Sequence, residues 1–296
     1  MNKFIAKLVM FMLCIAGIDV ALGLYLNRLP ELEIDRRLEY VLEGAFDADI
    51  IIIGSSVGAR GVLAEQICTQ TPYEAYNLSY PGSDIRFHEF ILTNYLKYNI
   101  APEKVILTVD ETIFKSSHSL KFRLDRCYPL LKYSDIKAVV AKHEHKNTVL
   151  AKYSNMYMAN RALLSYTKKK YTALDTILDR GSMPLTFQNK PINGSLKEGK
   201  PYDKTGELQE KINAFKTIIS LANNNNIDLV LCLPPQYKRI STSFVERLKT
   251  IYQGKYILAD GKDIRFHDKN MFSDKSHLNK KGAELFTDVI INTLKL

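Results

Sequence analysis

Four consecutive isoleucines, Ile50 to Ile53, close on a glycine and two serines in the stretch "DADIIIIGSSVGARGV" (Asp47 to Val62). A β-branched run with no polar alternation fits a strand covered on both faces, as in the parallel sheet of an α/β domain. Comparable segments recur along the chain. "EAYNLSYPG" (Glu74 to Gly82) reads as a second short strand and "EKVILTVDE" (Glu103 to Glu111) as a third. Between them "SDIRFHEFILTNYLKYN" has helical periodicity, with Ser83 or Asp84 as its N-cap. "IDLVLCLPP" (Ile227 to Pro235) and "KYILADG" (Lys255 to Gly261) complete five strands. The amphipathic segments "ELQEKINAFKTIISLANNNN", "FVERLKTIYQG" and "KKGAELFTDVIINTLKL" supply further helices. The alternation predicts an α/β fold, a three-layer doubly wound sheet of about five parallel strands.

One region breaks the rhythm. From about Thr112 to Thr205 tyrosines such as Tyr128, Tyr133, Tyr153 and Tyr157 sit on helix-like segments, followed by the run Lys168, Lys169 and Lys170. The region ends in "DRGSMPLTFQNKPINGSLKEGKPYDKTG", dense in Gly, Pro, Asn and Ser, which reads as a long irregular loop. It is expected to be a helical insertion in one domain spanning residues 29–296.

The N-terminus, "MNKFIAKLVMFMLCIAGIDVALGLYLNRLP", is apolar from about Phe4 to Leu26, enough to cross roughly 30 Å of hydrocarbon. No small-residue cleavage site follows, so residues 1–28 are expected to be an uncleaved single-pass anchor rather than a removed signal. Lys3 and Lys7 precede the core while Arg28, Arg36 and Arg37 follow it, so charge gives little orientation. Asp19 is the odd residue. An acid within a span is costly and often faces a protein partner, although a position nearer the interface serves equally.

The formal charge of +9, from 41 basic and 32 acidic residues, would suit nucleic acid, an anionic surface or an acidic polymer. No nucleic-acid module is recognisable and the apolar N-terminus argues against one, so nucleic acid is not an expected partner. The cysteines Cys14, Cys68, Cys127 and Cys232 form no CxxC or zinc-like spacing. Cys14 and Cys232 read as small buried hydrophobes, and pairing of Cys68 with Cys127 stays open. His143 and His145, two apart, would face different directions on a helix. No metal or cofactor is expected.

In doubly wound sheets the ligand site lies beyond the carboxyl ends of the strands, which brings Ser55, Ser56, Gly82 and Asp110 to one rim. Serine hydrolysis needs a hydroxyl, a base, a group that orients the base, and donors for an oxyanion. "FSDKSHLNKKG" (Phe272 to Gly282) supplies the rest: Asp274 and His277 lie three apart, within reach in one helical turn or compact loop. Arg60 either orients an acidic substrate or pairs on a helix surface.

A serine after the first strand, then Asp-x-x-His just before the last helix, resembles the SGNH/GDSL hydrolase superfamily. The resemblance covers most of Asp49 to Leu296 outside the insertion. It implies Ser56 as nucleophile, with Ser55 where the family often has aspartate, and Asp274 and His277 as the rest of the triad. "NLSYPGSD" resembles the second block, which implies oxyanion donation from the backbone N–H groups of Ser56 and Gly82. Ser55, Arg60, Asn77 and Asp110 are candidate substrate-binding positions. Where many members carry G-x-N-D, this chain has "TVDET", so the usual asparagine donor is missing.

The anchor, "GSS", the divergent third block and the late D-x-x-H resemble the membrane-anchored branch of cell-envelope modification, such as proteins of teichoic-acid D-alanylation and alginate acetylation. That resemblance implies a serine esterase or O-acyltransferase for an acylated envelope glycan or small ester, on the extracytoplasmic side. It also implies work beside a membrane-bound O-acyltransferase, reached through the anchor and Asp19. The competing expectation is a catalytically weak glycan-binding or adaptor protein of the same fold.

Overall fold

The computed structural model describes residues 2–167, 172–187, 191–192, 199–258 and 263–296. In chain order the first helices are α1 (Asn2–Arg28) and α2 (Arg37–Leu42), followed by strand β1 (Ile50–Ile53). Next come α3 (Ser56–Gly61), α4 (Ala64–Gln70), β2 (Ala75–Asn77), α5 (Ile85–Tyr98) and β3 (Lys104–Thr108). Five short helices follow: α6 (Leu124–Cys127), α7 (Ser134–His143), α8 (Thr148–Tyr153), α9 (Asn155–Met158) and α10 (Arg161–Leu164). The chain ends with α11 (Gln209–Asn224), β4 (Asp228–Leu233), α12 (Thr242–Lys249), β5 (Lys255–Leu258) and α13 (Lys280–Leu294).

These elements cluster into two compact units, residues 1–39 with 123–171, and residues 40–122 with 172–296. The segment 1–28, expected to be an anchor, therefore clusters with part of the expected insertion. The run Lys168–Lys170 lies outside the described residues, as do positions 259–262 at the end of the expected fifth strand.

The larger unit holds one five-stranded sheet, parallel throughout, in the order β2-β1-β3-β4-β5. The step from β1 to β2 runs one way across the sheet and every later step the other way. Right-handed crossovers therefore put α3 and α4 on one face and α5, α11 and α12 on the opposite one. Alternation within the strands feeds both faces. Ile50, Ile52, Ile106, Val230, Cys232 and Ile257 join one cluster with Val62, Leu63, Ile67 and the α13 residues Phe286 and Ile290. Their neighbours Ile51, Ile53, Val105, Leu107, Leu229 and Leu231 are equally buried on the other face, where α5 packs against α11. Each such side chain contributes roughly 1.5–3 kcal/mol of burial. Asp84 caps α5 as expected, its carboxylate accepting from Arg86 N at 3.1 Å.

The smaller unit is built around α1. Its first turns, through Ile18, are exposed on every side except at Ile15, and the helix is long and apolar enough to cross a membrane. From Asp19 onward one side of it is packed, through Asp19, Tyr25 and the buried Leu26, while Val20 and Leu24 stay exposed. The Asp19 carboxylate accepts from Ser154 Oγ and Met156 N at 2.8 Å each and from Asn155 Nδ2 at 3.2 Å. The acid of the apolar segment is thus engaged by its own chain. Tyr25 donates its hydroxyl to Leu163 O at 3.1 Å, and Glu33 accepts from Arg126 and Tyr166.

All four cysteines are free thiols, so Cys68 and Cys127 are not joined. Cys127 and Cys232 are buried, and burial pushes both thiols well above their ordinary value. Cys14 is exposed rather than buried, because the apolar ring of α1 faces outward there.

Candidate active site

Ser56 opens α3 immediately after β1, and the first carbonyl used inside that helix is Ser55 O, which accepts from Ala59 N at 3.0 Å. The N–H groups of Ser56 and Val57 therefore head the helix with no carbonyl of its own to bond. The first turn lies close against β3. A Cβ on Gly58 would sit 2.3 Å from Thr108 Oγ1 and 2.7 Å from Ser79 Oγ, so only glycine lets the serine approach the sheet this way.

The far end of α3 is tied down by Asn77. Its Nδ2 donates to Gly58 O at 3.1 Å and to Val62 O at 2.8 Å, while its Oδ1 accepts from Ser79 N at 2.9 Å. Asn77 is fully buried. It is not among the residues that line the cavity beside Ser56, which corrects its expected place in substrate binding: both Nδ2 hydrogens and Oδ1 are bonded within the chain.

Asp274 and His277 lie in a compact loop rather than a helical turn. An antiparallel bridge between Phe272 and Leu278 closes the loop, and Ser273 N donates to His277 O at 2.9 Å. The same sequence block fixes the loop on both sides. Leu278 is buried in the sheet's core cluster, and Asn279 caps α13 by accepting from Gly282 N at 3.0 Å. The Asp274 carboxylate then faces His277 Nδ1 at 2.9 and 3.0 Å and also accepts the N–H groups of Ser276 and His277. With Nδ1–H given to Asp274, Nε2 is the basic nitrogen, and it meets Ser56 Oγ at 2.8 Å. Residues 221 positions apart in the chain thus form one continuous hydrogen-bonded line.

A cavity of about 780 Å³ opens over this line, and Ser55, Ser56, Arg60, Gly82, Asp110 and His277 are in its wall. Gly82 sits in a Pro-Gly turn in which Ser83 N donates to Tyr80 O at 3.1 Å. Its φ of 76° is the left-handed value that the third position of a type II turn requires. Asp110, expected where the family resemblance would call for a donor-bearing block, spends Oδ1 on Thr112 N at 2.7 Å and on the Thr112 hydroxyl. Glu111 accepts from Lys238 Nζ and Ser241 N, each at 2.7 Å. Neither acid is a donor when ionised.

Arg60 is 9% exposed. Burial holds its guanidinium below the usual value, opposed by the charges of Asp274 and Asp175.

The sequence reading missed the far wall, where Lys200, Tyr237, Lys238 and Lys275 line the cavity. Tyr237 and Lys238 follow the carboxyl end of β4, so the rule that picked out Ser56 would have reached them. Nothing in the sequence signalled Lys200. His88 is a buried neighbour of the site whose Nε2 lies 2.9 Å from Ser83 Oγ.

No family model and no curated relative matches the chain. Solved structures do. A Streptococcus pneumonia protein provisionally described as a platelet activating factor matches at 11% identity and TM-score 0.45, over 99% of this chain and 100% of that one. A provisionally assigned acylhydrolase from Bacteroides fragilis matches at 8% identity and TM-score 0.40, over 89% and 96%.

Proposed function

We propose that the chain is a membrane-anchored serine esterase or O-acyltransferase acting on acyl esters of a cell-envelope polysaccharide. The observation that carries the reading is the unbroken line from Ser56 Oγ through His277 to Asp274, at 2.8 Å and 2.9–3.0 Å. His277 Nε2 takes the Ser56 proton as Oγ attacks the ester carbonyl. The oxyanion collects the N–H groups of Ser56 and Gly82. His277 then returns the proton to the departing alkoxide, leaving an acyl group on Ser56. Water or a sugar hydroxyl, deprotonated by the same nitrogen, takes up the acyl group and restores the serine. Asp274 holds the ring and balances the imidazolium charge.

The apolar helix α1 supports the membrane assignment, and the sequence resemblance supports an envelope glycan as acceptor on the extracytoplasmic side, beside a membrane O-acyltransferase. A second reading, a catalytically weak glycan-binding or adaptor protein, draws on Asp110, which accepts rather than donates in the cavity wall.

Fluorophosphonate labelling and p-nitrophenyl acetate turnover separate the two. Wild type should label and turn over, and Ser56→Ala and His277→Ala should do neither. Equal, null behaviour of all three proteins would favour the adaptor.

A further inference from the structure

Arg60 lies one helical turn beyond Ser56 on α3, so the two side chains share a face of that helix. Although nine-tenths buried, its guanidinium makes no hydrogen bond or ion pair among the described residues, and its Nε is enclosed with no partner. Buried arginines are ordinarily paired, because an enclosed charge without a counterion is costly. The acids that act on Arg60 do so only at a distance. Asp274 is already committed to His277 and to two backbone N–H groups.

The rest of the cavity has the same imbalance. Of its acids, Glu111 is paired with Lys238 and accepts from Ser241 N, while Asp110 accepts through one oxygen from the Thr112 N–H and hydroxyl. Among its cations, Lys200 and Lys275 are exposed and are in no ion pair with another described residue. The wall thus sets Arg60, buried beside Ser56, and the exposed Lys200 and Lys275 against the single carboxylate of Asp110, an excess of positive charge. A planar guanidinium with two N–H edges matches a group that offers two oxygens.

We propose that Arg60 binds an anionic substituent, a carboxylate or a phosphate, on the substrate, so that the cavity selects anionic over neutral acyl esters. This deepens the esterase reading and rests on it for the catalytic consequence, while the anion site itself does not require turnover.

The full chain in non-ionic detergent would be tested on two ester pairs. One pair is p-nitrophenyl acetate against mono-p-nitrophenyl succinate, with the charge on the acyl side. The other is acetylglycerol against acetylglycerol phosphate, with the charge on the alcohol side, followed by acetate release. Wild type should favour the charged member of one pair by about 10- to 100-fold in kcat/KM, and which pair shows it identifies the side that carries the anion. Arg60→Gln should collapse that ratio by at least tenfold, and Arg60→Lys should recover part of it. Equal loss on both members of a pair would overturn the proposal, because it would mean that Arg60 supports the fold or the triad instead.

The independent arm uses Ser56→Ala, which needs no chemistry. Calorimetric binding of succinate or inorganic phosphate should appear in Ser56→Ala and vanish in the Ser56→Ala/Arg60→Gln double variant. If no ester is hydrolysed but this binding difference holds, the esterase reading fails and the anion site stands. No charged-ester preference and no anion binding together would overturn the anion site. As a check on folding, Arg60→Met should melt at or above the wild-type temperature, since it removes a buried charge without a partner.

Discussion

At the scale of single residues the proposed triad gives the sharpest expectations. Ser56→Ala or His277→Ala should lower kcat by about 10⁴-fold or more, and the double variant should be little worse than either, because the two act as a unit. Steady-state kinetics on p-nitrophenyl acetate measure both statements. His88 carries a different prediction. Ser83 Oγ lies 2.7 Å from Tyr80 O, which only accepts, so the serine proton goes there and His88 Nε2–H donates to Oγ. The ring is thus neutral with a bare, buried Nδ1. Burial is the main force holding it at about 4 against an ordinary 6.5; Lys211 acts with burial, and Asp84 acts against it. The unfolded chain takes up a proton below about 6.5 that the folded chain refuses until about 4. Stability should therefore fall by roughly 3 kcal/mol as pH drops through that window, then level off. Urea unfolding of wild type and His88→Gln between pH 7 and 4 reads it, and the variant should lack this part of the slope.

At the scale of elements, the short helix α3 carries the site, and its position depends on residues outside the chemistry. Gly58→Ala would press a methyl group onto Thr108 and Ser79, so α3 must shift away from the sheet. Since a displacement of about 1 Å can cost on the order of 100-fold in rate, kcat should fall by that order along with Tm. Asn77→Ala leaves Gly58 O and Val62 O without their side-chain donor and should cost about 2–3 kcal/mol in unfolding free energy. Both elements that carry the proposed triad were legible in the sequence: the isoleucine run marked β1, and the D-x-x-H-L-N spacing marked the loop before α13. The role of Asn77 was not. An asparagine near a strand end reads the same whether it meets a ligand or two backbone carbonyls, and only packing separates the cases.

At the scale of the whole chain, the α/β alternation predicted the five parallel strands and their covering helices. The region from Thr112 to Thr205 was read only as a departure from that pattern. Part of it clusters with α1, and Asp19 explains why the sequence could not reveal this. Its carboxylate is satisfied by Ser154, Asn155 and Met156, more than 130 positions away, with no local signal to announce the pairing. The proposed anchor gives a test. The full chain should stay with membranes through an alkaline carbonate wash, and Leu8→Asp with Met12→Asp should release it. Each acid is expected to cost about 2.5–3.5 kcal/mol near the centre of a span.

The strands, the helix faces, the apolar N-terminal segment and the order serine, aspartate, histidine could all be read along the chain. These follow from periodicity and composition over a few residues, where each side chain's partner is its near neighbour or solvent. What came from packing alone is that His277 reaches Ser56, that Asn77 fastens α3, that Asp19 is held by its own chain, and that Arg60 is buried one turn from Ser56 with its Nε unpaired among the described residues. Those outcomes depend on how distant segments stack on a common sheet or helix, and spacing along the chain carries no record of that distance.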